Sequence, residues 1–257
     1  MKHSEKAKAY LRRLGLPEDM EISHTYKELC DIQYAHACRI PYENIDIMNG
    51  TPIELTPDAL YDKIVTRGRG GYCFELNGAL GWLLRELGFS VTDYFARFLR
   101  GETELPMRRH RILRVTCKEG DCICDVGVGQ IAPRYPLFLK ENDIQTQFGE
   151  TYRFIRDETL GWILWEEHKG EWRQYLSFFE EPHFDVDFIQ PSFYCEKHPD
   201  SPFPKALMLA IKTEKGRKTV DGGVYKEFEG DTLTLIEENL SKEALDAHMK
   251  KDFYLYL

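Results

Sequence analysis

The sequence lacks an apolar run of about 18 residues or more, the length that a membrane-spanning helix needs. Its first residues are polar and charged, so it also lacks the apolar core of about 7–15 residues that a secretory signal requires. Internal repeats and low-complexity tracts are missing as well. These absences predict a cytoplasmic protein that has no membrane partner and keeps its thiols reduced.

Basic residues are outnumbered, with 34 lysines and arginines against 43 acidic residues and a formal net charge of −9. Nucleic-acid binding needs a basic face, so this balance argues against a nucleic-acid partner. It leaves room for one basic pocket, because net charge is an average over the chain. The 257 residues are 42% hydrophobic and 13% aromatic, which predicts a globular protein with two or three units around a substantial core.

The seven cysteines are an odd number, so at least one of them is unpaired. Cys122 and Cys124 have the spacing of half a metal site, but a C-x-C pair without a second pair is a weak signal. Alternation around Ile123 favours a strand instead. We therefore expect no metal.

Apolar spacing divides the chain into a helical part followed by a strand-rich part. Helices are predicted before Gly15, from about 23 to 40, from Thr56 onward, and from Cys73 to Gly88. From Ser90 onward short β-rich runs predict strands at 91–98, 111–115, 122–126, 152–155, 162–165 and 172–175. Helices followed by clustered strands indicate an α+β fold and not an alternating α/β fold.

The last third of the chain has weaker patterns. Residues 184–204 are rich in Pro and Ser and are predicted to form an ordered connector. Strands are expected at 208–213 and 232–235, and a short helix at 241–250 that Ser241 caps.

The strongest chemical signal is Cys73, which follows a glycine-rich stretch and precedes a helical pattern of leucines. A Cys at the start of a helix lies beside unpaired backbone N–H groups and the positive end of the helix dipole. Both favour the thiolate, which is the nucleophilic form. The preceding glycines permit close backbone approach and positive φ. Cys73 is therefore a candidate nucleophile, although a free Cys is more often packed as a small apolar side chain.

A thiol nucleophile needs a base, and the base needs a group that orients it. His110 immediately precedes one predicted strand, and Asp125 ends the next one. If the two strands form an antiparallel hairpin, their outer ends meet and Asp125 lies beside His110. An ion pair between the thiolate and His110 would lower the pKa of the thiol and raise that of the imidazole. Taken singly, each residue also has a simpler interpretation: His110 as a solvated histidine and Asp125 as an ordinary acid at the end of a strand.

Taken together, these residues resemble the arylamine N-acetyltransferase family. The resemblance rests on residues 69–75 around Cys73, on His110 before a strand, and on residues 125–129. Further matching segments are residues 10–15, residues 41–46, and Asp187, Phe188, Tyr194, Pro199, Ser201 and Phe203. The similarity spans residues 10 to about 205.

The resemblance implies a helical domain that carries Cys73, a β-barrel domain that carries His110 and Asp125, and an α/β lid. Their expected bounds are 1–89, 90–204 including the connector, and 205–257, with a papain-like core formed by the first two. It implies acetyl transfer from acetyl-CoA to arylamines or arylhydrazines by a ping-pong mechanism through an acetyl-cysteine. A role in xenobiotic metabolism follows from the same likeness.

The resemblance also assigns binding roles. The stretch Gly127, Val128 and Gly129 is expected to line the pocket and take the pantetheine arm of CoA. Gly127, Gly129, Arg108, Tyr194 and Ser201 are the expected CoA contacts, and Tyr42 and Val128 the expected acceptor contacts. Glu43 and Arg69 are expected to pair behind the site.

The chain departs from the family pattern at several of these positions. Val128 replaces the usual aromatic residue, which predicts a wider acceptor pocket. Lys197 and His198 replace small hydroxyl residues, so Arg108, Arg109 and Lys197 are candidates for the CoA phosphates, with a solvated basic turn as the alternative. Two other functions remain open at this stage: a thiol hydrolase or thioesterase with the same three residues, and an inert binding module. The acyl group and the physiological acceptor are open too.

Overall fold

The computed structural model describes residues 3–256. The first third is helical and contains one short strand. Its elements are α1 Glu5–Arg13, α2 Tyr26–Arg39, β1 Tyr42–Glu43, α3 Ile45–Met48, α4 Pro57–Tyr61 and α5 Cys73–Glu86. A π-helical turn over Asp62–Thr66 extends α4. The four helices predicted from the sequence are confirmed, and α2 begins where Thr25 and Glu28 form a reciprocal cap.

An antiparallel sheet of eight strands follows. Its strands are β2 Ser90–Phe98, β3 His110–Cys117, β4 Gly120–Cys124, β5 Leu137–Phe138, β6 Gln145–Gln147, β7 Glu150–Asp157, β8 Gly161–His168 and β9 Glu171–Phe178. They are ordered β5-β4-β3-β2-β9-β8-β7-β6, and the sheet curves into a nearly closed barrel. The predicted strands of this part are confirmed, as is the α+β class. The barrel encloses a core of its own, with Tyr94, Phe154 and Tyr175 buried in it.

A second sheet of five strands forms near the end of the chain. It consists of β10 Met208–Lys212, β11 Gly216–Asp221, β12 Val224–Glu229 and β13 Thr232–Glu237, and helix α7 Lys242–Asp252 follows. β1 is its fifth strand, because Tyr42 pairs with Ala210 and Glu43 with Leu209. Hydrogen bonds therefore tie the helical part to the C-terminal sheet across the domain bounds expected from the resemblance.

Residues 184–204 differ from the predicted connector. A 3₁₀ turn at Asp185–Phe188 leads into helix α6 (Ile189–Lys197), which is numbered before α7 in chain order. Pro191 lies in the first turn of α6, where a proline costs no hydrogen bond. The segment is therefore ordered, as predicted, but it contains a helix that its Pro and Ser content did not predict.

Helix α5 lies in the main core between the other helices and the barrel. Eleven of its residues are buried, among them Leu76, Leu80 and Leu83. On its other side Leu113, Val115 and Cys124 of the barrel join the same core. The helix that begins at the candidate nucleophile is thereby fixed on all sides.

Candidate active site

Cys73 is the first residue of α5, and its side chain is almost completely buried, with 4% exposed. The helix start is held by Glu75, whose Oε2 accepts a hydrogen bond from the Tyr72 N–H at 3.1 Å. Tyr72 is fixed in turn by its hydroxyl, 2.5 Å from Oγ of Ser192 on α6. The thiol is therefore carried by a rigid helix terminus.

The glycines before Cys73 show both the positive φ and the close backbone approach that the sequence predicted, the first at Gly68 with φ +65° and the second at Gly70. A Cβ on Gly70 would lie 2.0 Å from the Pro41 carbonyl oxygen, so this glycine allows the loop to pack against the segment before β1. The Gly71 carbonyl accepts a hydrogen bond from the Glu43 N–H at 2.8 Å. These glycines therefore allow the loop to pack closely against the segment that contains β1.

The β3–β4 hairpin brings His110 and Asp125 together. The two strands pair antiparallel with Leu113 opposite Cys124, so their outer ends are adjacent. Nε2 of His110 lies 2.7 Å from Oδ2 of Asp125, and both side chains are buried. An ionised carboxylate only accepts hydrogen bonds, so Nε2 carries the proton and Nδ1 is the ring nitrogen free to act as a base.

Asn77 connects this pair to α5 and has no role in the sequence-based expectations. Its Nδ2 donates to Oδ1 of Asp125 at 2.9 Å and to the Arg111 carbonyl at 2.6 Å. Its Oδ1 accepts from the Val126 N–H at 2.9 Å. Asn77 follows Cys73 by four positions and shares its helix face, and that spacing is the signal by which the sequence could have identified it.

Burial opposes ionisation of the nucleophile. Desolvation raises the pKa of the Cys73 thiol well above its ordinary value, and the nearby Cys195 and Asp125 raise it further. The backbone N–H groups of Phe74 and Arg111 act in the opposite direction. The net direction is opposite to the lowering expected from an ion pair with His110, so the ligand-free site favours the neutral thiol.

A cavity of about 360 Å³ opens beside Cys73 and His110. Several of the expected binding residues line it: Tyr42, Gly127, Val128 and Gly129. Residues of the C-terminal sheet, including Met208, Ala210 and Val220, complete its wall. The lining combines an apolar surface with the side chains of Cys73 and His110, as in an enzyme site for a small molecule.

Three expected CoA contacts lie outside this lining. Arg108 pairs with Glu181 at 3.5 Å and stacks on the ring of Phe179. Tyr194 stacks on His198, with ring centres 4.2 Å apart. Ser201 is fully buried, and its hydroxyl donates to the Cys195 carbonyl at 2.6 Å. The structure gives Tyr194 and Ser201 packing roles around α6.

Glu43 and Arg69 pair as expected, within a larger buried charge cluster. Arg69 Nη2 lies 2.7 Å from Glu43 Oε1 and 3.0 Å from Asp46 Oδ1. Lys63 Nζ lies 2.7 Å from both Asp46 Oδ2 and Glu75 Oε1. The cluster contains three carboxyl groups and two cations, and burial raises the pKa of Glu75 to about 7. It joins the loop before Cys73 to β1.

Comparison with known proteins shows which family the chain belongs to. The sequence profile of a family described as N-acetyltransferase matches residues 25–257. An arylamine N-acetyltransferase of Mycolicibacterium smegmatis is 35% identical over 247 residues, which cover 93% of this chain and 88% of that protein. The chain belongs to the arylamine N-acetyltransferase family. The resemblance stated from the sequence, and the expectation of an acyltransferase enzyme, are thereby confirmed.

Solved arylamine N-acetyltransferases have the same fold. The structure from Salmonella typhimurium has a TM-score of 0.92 at 28% identity, covering 98% of this chain and 92% of that one. A Mycobacterium marinum arylamine N-acetyltransferase solved in complex with CoA has a TM-score of 0.89 at 29% identity, covering 97% and 92%. The similarity extends over the helical part, the barrel and the C-terminal sheet together.

Three further features concern residues 3–256. Within this range no helix has the length and apolar character needed to cross a bilayer. The same residues contain no group of three or more His, Cys, Asp or Glu side chains arranged to hold a metal ion. All seven cysteines are free thiols.

Proposed function

We propose that this protein transfers an acetyl group from acetyl-CoA to an arylamine or arylhydrazine through an acetyl-Cys73 intermediate. The observation that carries the proposal is the cavity lined by both Cys73 and His110, with His110 hydrogen-bonded to Asp125. Membership of the family supports the substrates, and the CoA complex of the Mycobacterium marinum relative supports the donor.

In the first half-reaction the sulfur attacks the thioester carbonyl. Because burial raises the pKa of the Cys73 thiol, we infer that His110 Nδ1 takes the thiol proton as the C–S bond forms. Asp125 stabilises the imidazolium through Nε2. His110 then returns the proton to the departing CoA thiolate, which leaves acetyl-Cys73 and neutral His110.

In the second half-reaction the amine is the nucleophile and the Cys73 sulfur is the leaving group. The amine attacks the acetyl carbonyl of acetyl-Cys73, and His110 takes up the amine proton. The Cys73 sulfur departs and regains a proton from the imidazolium. Amide and free enzyme result, so the scheme is ping-pong.

The developing oxyanion needs donors at the start of α5. The Cys73 N–H is at the first helical position, where it has no acceptor within the helix. We assign it as one donor, with a neighbouring amide as the second. Both would lie at the positive end of the helix dipole.

The binding assignments follow the lining of the cavity. Gly127 and Gly129 are proposed to flank the pantetheine arm, and Tyr42 and Val128 to contact the acceptor. The apolar lining suits both an aryl ring and a pantetheine arm. Arg108, Tyr194 and Ser201 remain proposed contacts of the parts of CoA that lie farther from the thioester. Arg108 also pairs with Glu181, and Ser201 is buried.

The cellular environment, the biological role and the domain division are parts of the same proposal. Seven free thiols fit a reducing, cytoplasmic environment, where a role in xenobiotic metabolism fits the family. We propose a division into 1–89, 90–204 and 205–257, with a papain-like core in the first two parts, in which the first part carries Cys73 and the second carries His110 and Asp125.

Initial-rate kinetics test the proposal. Acetyl-CoA and an arylamine are varied together while both CoA release and acetylated amine are measured. Parallel double-reciprocal lines and equal yields of the two products are expected. Intersecting lines would contradict the ping-pong scheme, and CoA release without amide would indicate the rival thioesterase.

A further inference from the structure

Arg111 directly follows His110 on β3, and its side chain is completely buried. Successive residues of a strand point to opposite faces of the sheet. His110 lines the cavity, and Arg111 points to the face of β3 that packs on α5. A Cβ on Gly78 of α5 would lie 2.9 Å from Arg111 Nη1, so the guanidinium reaches this helix because residue 78 has no side chain. A charge buried in this way needs partners that compensate for its lost hydration.

Two carboxylates provide that compensation. Arg111 Nη2 lies 2.6 Å from Oδ1 of Asp93 on β2 and 2.7 Å from Oδ1 of Asp185 in the 3₁₀ turn before α6. Nε donates a further hydrogen bond to Asp93 at 2.8 Å. The guanidinium carbon also lies 4.5 Å from the centre of the Phe188 ring. One buried side chain therefore joins β3 to β2 and to the turn before α6.

The backbone of the same residue meets the helix of the nucleophile. The Arg111 carbonyl accepts a hydrogen bond from Nδ2 of Asn77 at 2.6 Å. Its N–H is one of the backbone groups that lower the pKa of the Cys73 thiol. On the other side of His110, the Arg109 carbonyl oxygen lies 4.0 Å from Cys73 Sγ. Residues 109–111 therefore carry both the base and a backbone donor to the nucleophile.

We propose that Arg111 is a positioning residue of the active site. Its buried ion pairs with Asp93 and Asp185 hold the start of β3 so that the His110 imidazole and the Arg111 N–H face the Cys73 sulfur. The guanidinium acts through the backbone that it anchors and not by contact with substrate. This inference rests on the proposed acetyl transfer, in which Cys73 and His110 react, and it adds a residue that determines their relative position.

The alternative is a purely structural role, in which Arg111 stabilises the packing of the barrel on α5 and nothing more. Both roles predict a lower melting temperature when Arg111 is replaced, because the buried carboxylate of Asp93 loses an ion-pair partner and retains Arg85. The two roles differ in what they predict for molecules that stay folded. A positioning role changes the reactivity of Cys73 in the folded protein, and a structural role does not.

The test measures how fast iodoacetamide alkylates Cys73 as a function of pH, because this reagent reacts with the thiolate and needs no CoA. The peptide that contains Cys73 is quantified by mass spectrometry, at a temperature well below the melting temperature of every variant. Wild type is compared with Arg111→Met and Arg111→Lys. Arg114→Met is the matched control, since Arg114 lies on the same strand and pairs with Asp121.

The titratable groups around Cys73 are unchanged in all of these variants. They come from β3, the segment after β4, α6, β1 and the loop before α5: His110, Asp125, Cys195, Tyr42 and Tyr72. Arg111→Lys also keeps the positive charge at residue 111. A shift of the alkylation profile therefore reports a change in the position of these groups and of the backbone donor.

In Arg111→Met the profile is expected to move to higher pH, with alkylation at about pH 7 roughly tenfold slower, the lower end of the range for a hydrogen bond to a charged group. Arg111→Lys should recover part of the rate, because its ammonium replaces the charge but not the guanidinium fork. Arg114→Met should match wild type. A wild-type profile in Arg111→Met beside a lowered melting temperature overturns the proposal and leaves a structural role. An equal shift in Arg114→Met overturns it too, since the effect would then belong to β3 as a whole.

A second variant keeps the proposal testable if Arg111→Met does not fold. The side chain of Asp185 is 46% exposed, so Asp185→Asn removes one of the two ion pairs with little loss of buried structure. A smaller shift in the same direction is expected, and a wild-type profile in a folded Asp185→Asn overturns the proposal.

The proposed function can fail separately. Mass analysis of the wild type mixed with acetyl-CoA shows whether Cys73 becomes acetylated. Absence of acetylation contradicts the acetyl-transfer scheme, whereas the alkylation profiles still decide whether Arg111 positions the groups around Cys73. Normal acetylation with unshifted alkylation profiles contradicts the role of Arg111 alone.

Discussion

The side-chain amide of Asn77 donates a hydrogen bond to Oδ1 of Asp125 at 2.9 Å. The other oxygen of this carboxylate meets Nε2 of His110 at 2.7 Å. Asn77 lies one turn after Cys73 on the same helix, so one side chain links the helix of the nucleophile to the acid that orients the base. The relative position of thiol and imidazole depends on this link between α5 and the barrel.

Asn77→Ala is expected to lower kcat by roughly tenfold to a hundredfold, because Asp125 loses a charged hydrogen bond and no longer orients His110 firmly. The pH–rate profile should also change, since His110 then has a different environment. A purely structural role would instead lower the melting temperature and leave the profile of the folded fraction as in wild type. Asn49→Ala, at an exposed position with an ordinary negative φ, serves as the control.

Gly127→Ala is expected to disturb the nucleophile directly. A Cβ at this position would lie 2.7 Å from Cys73 Cα and 2.6 Å from Asn77 Nδ2, which is too close for either to remain in place. We expect a loss of about 1–3 kcal/mol in the free energy of unfolding, typical of overpacking, together with slower acetylation. Chemical denaturation and stopped-flow acylation measure the two effects. Wild-type values for both would contradict this expectation and show that the backbone shifts at little cost to make room for the added methyl group.

Val128→Phe tests the expectation of a wide acceptor pocket. Val128 lines the cavity and packs against the barrel core, so a larger side chain reduces the space beside Cys73. Catalytic efficiency toward bicyclic arylamines should fall more than toward single-ring arylamines. The reverse order would mean that stacking on the new ring outweighs the lost volume. Acetyl-CoA consumption in the absence of amine serves as the control for the first half-reaction.

Glu75 predicts a pH dependence of stability. Its pKa is raised by burial to about 7, against about 4.3 in an unfolded chain. Between these values the folded state holds a proton that the unfolded state has released. Wild type should therefore lose stability relative to Glu75→Gln as the pH rises through this window, by about 1.4 kcal/mol per pH unit. Urea unfolding at several pH values measures the difference, and a constant difference would show that Lys63 keeps Glu75 ionised throughout.

The sequence predicted the arrangement of the candidate site residues where one local rule determined it. Cys73 begins α5 because the glycine-rich stretch ends there, and Asp125 reaches His110 because a tight hairpin joins β3 and β4. These features depend on short-range spacing, which periodicity and turn residues reveal. The hairpin argument needed no knowledge of the rest of the fold.

The features that the sequence did not predict depend on contacts between distant segments. Asn77 acquires its role only when α5 packs on the barrel, and β1 exists only because β10 pairs with it. β11 and β12 are rich in Lys, Arg and Glu on their exposed faces, so their strand pattern is weak. The pKa of Cys73 follows from burial, which a spacing rule does not contain.

The most direct test of the account is the intact mass of the protein after mixing with acetyl-CoA in the absence of amine, beside Cys73→Ala. The account predicts a gain of about 42 Da, one acetyl group, in the wild type only, discharged when an arylamine is added. No gain in mass while CoA is released through Cys73 would contradict it and identify a thioesterase.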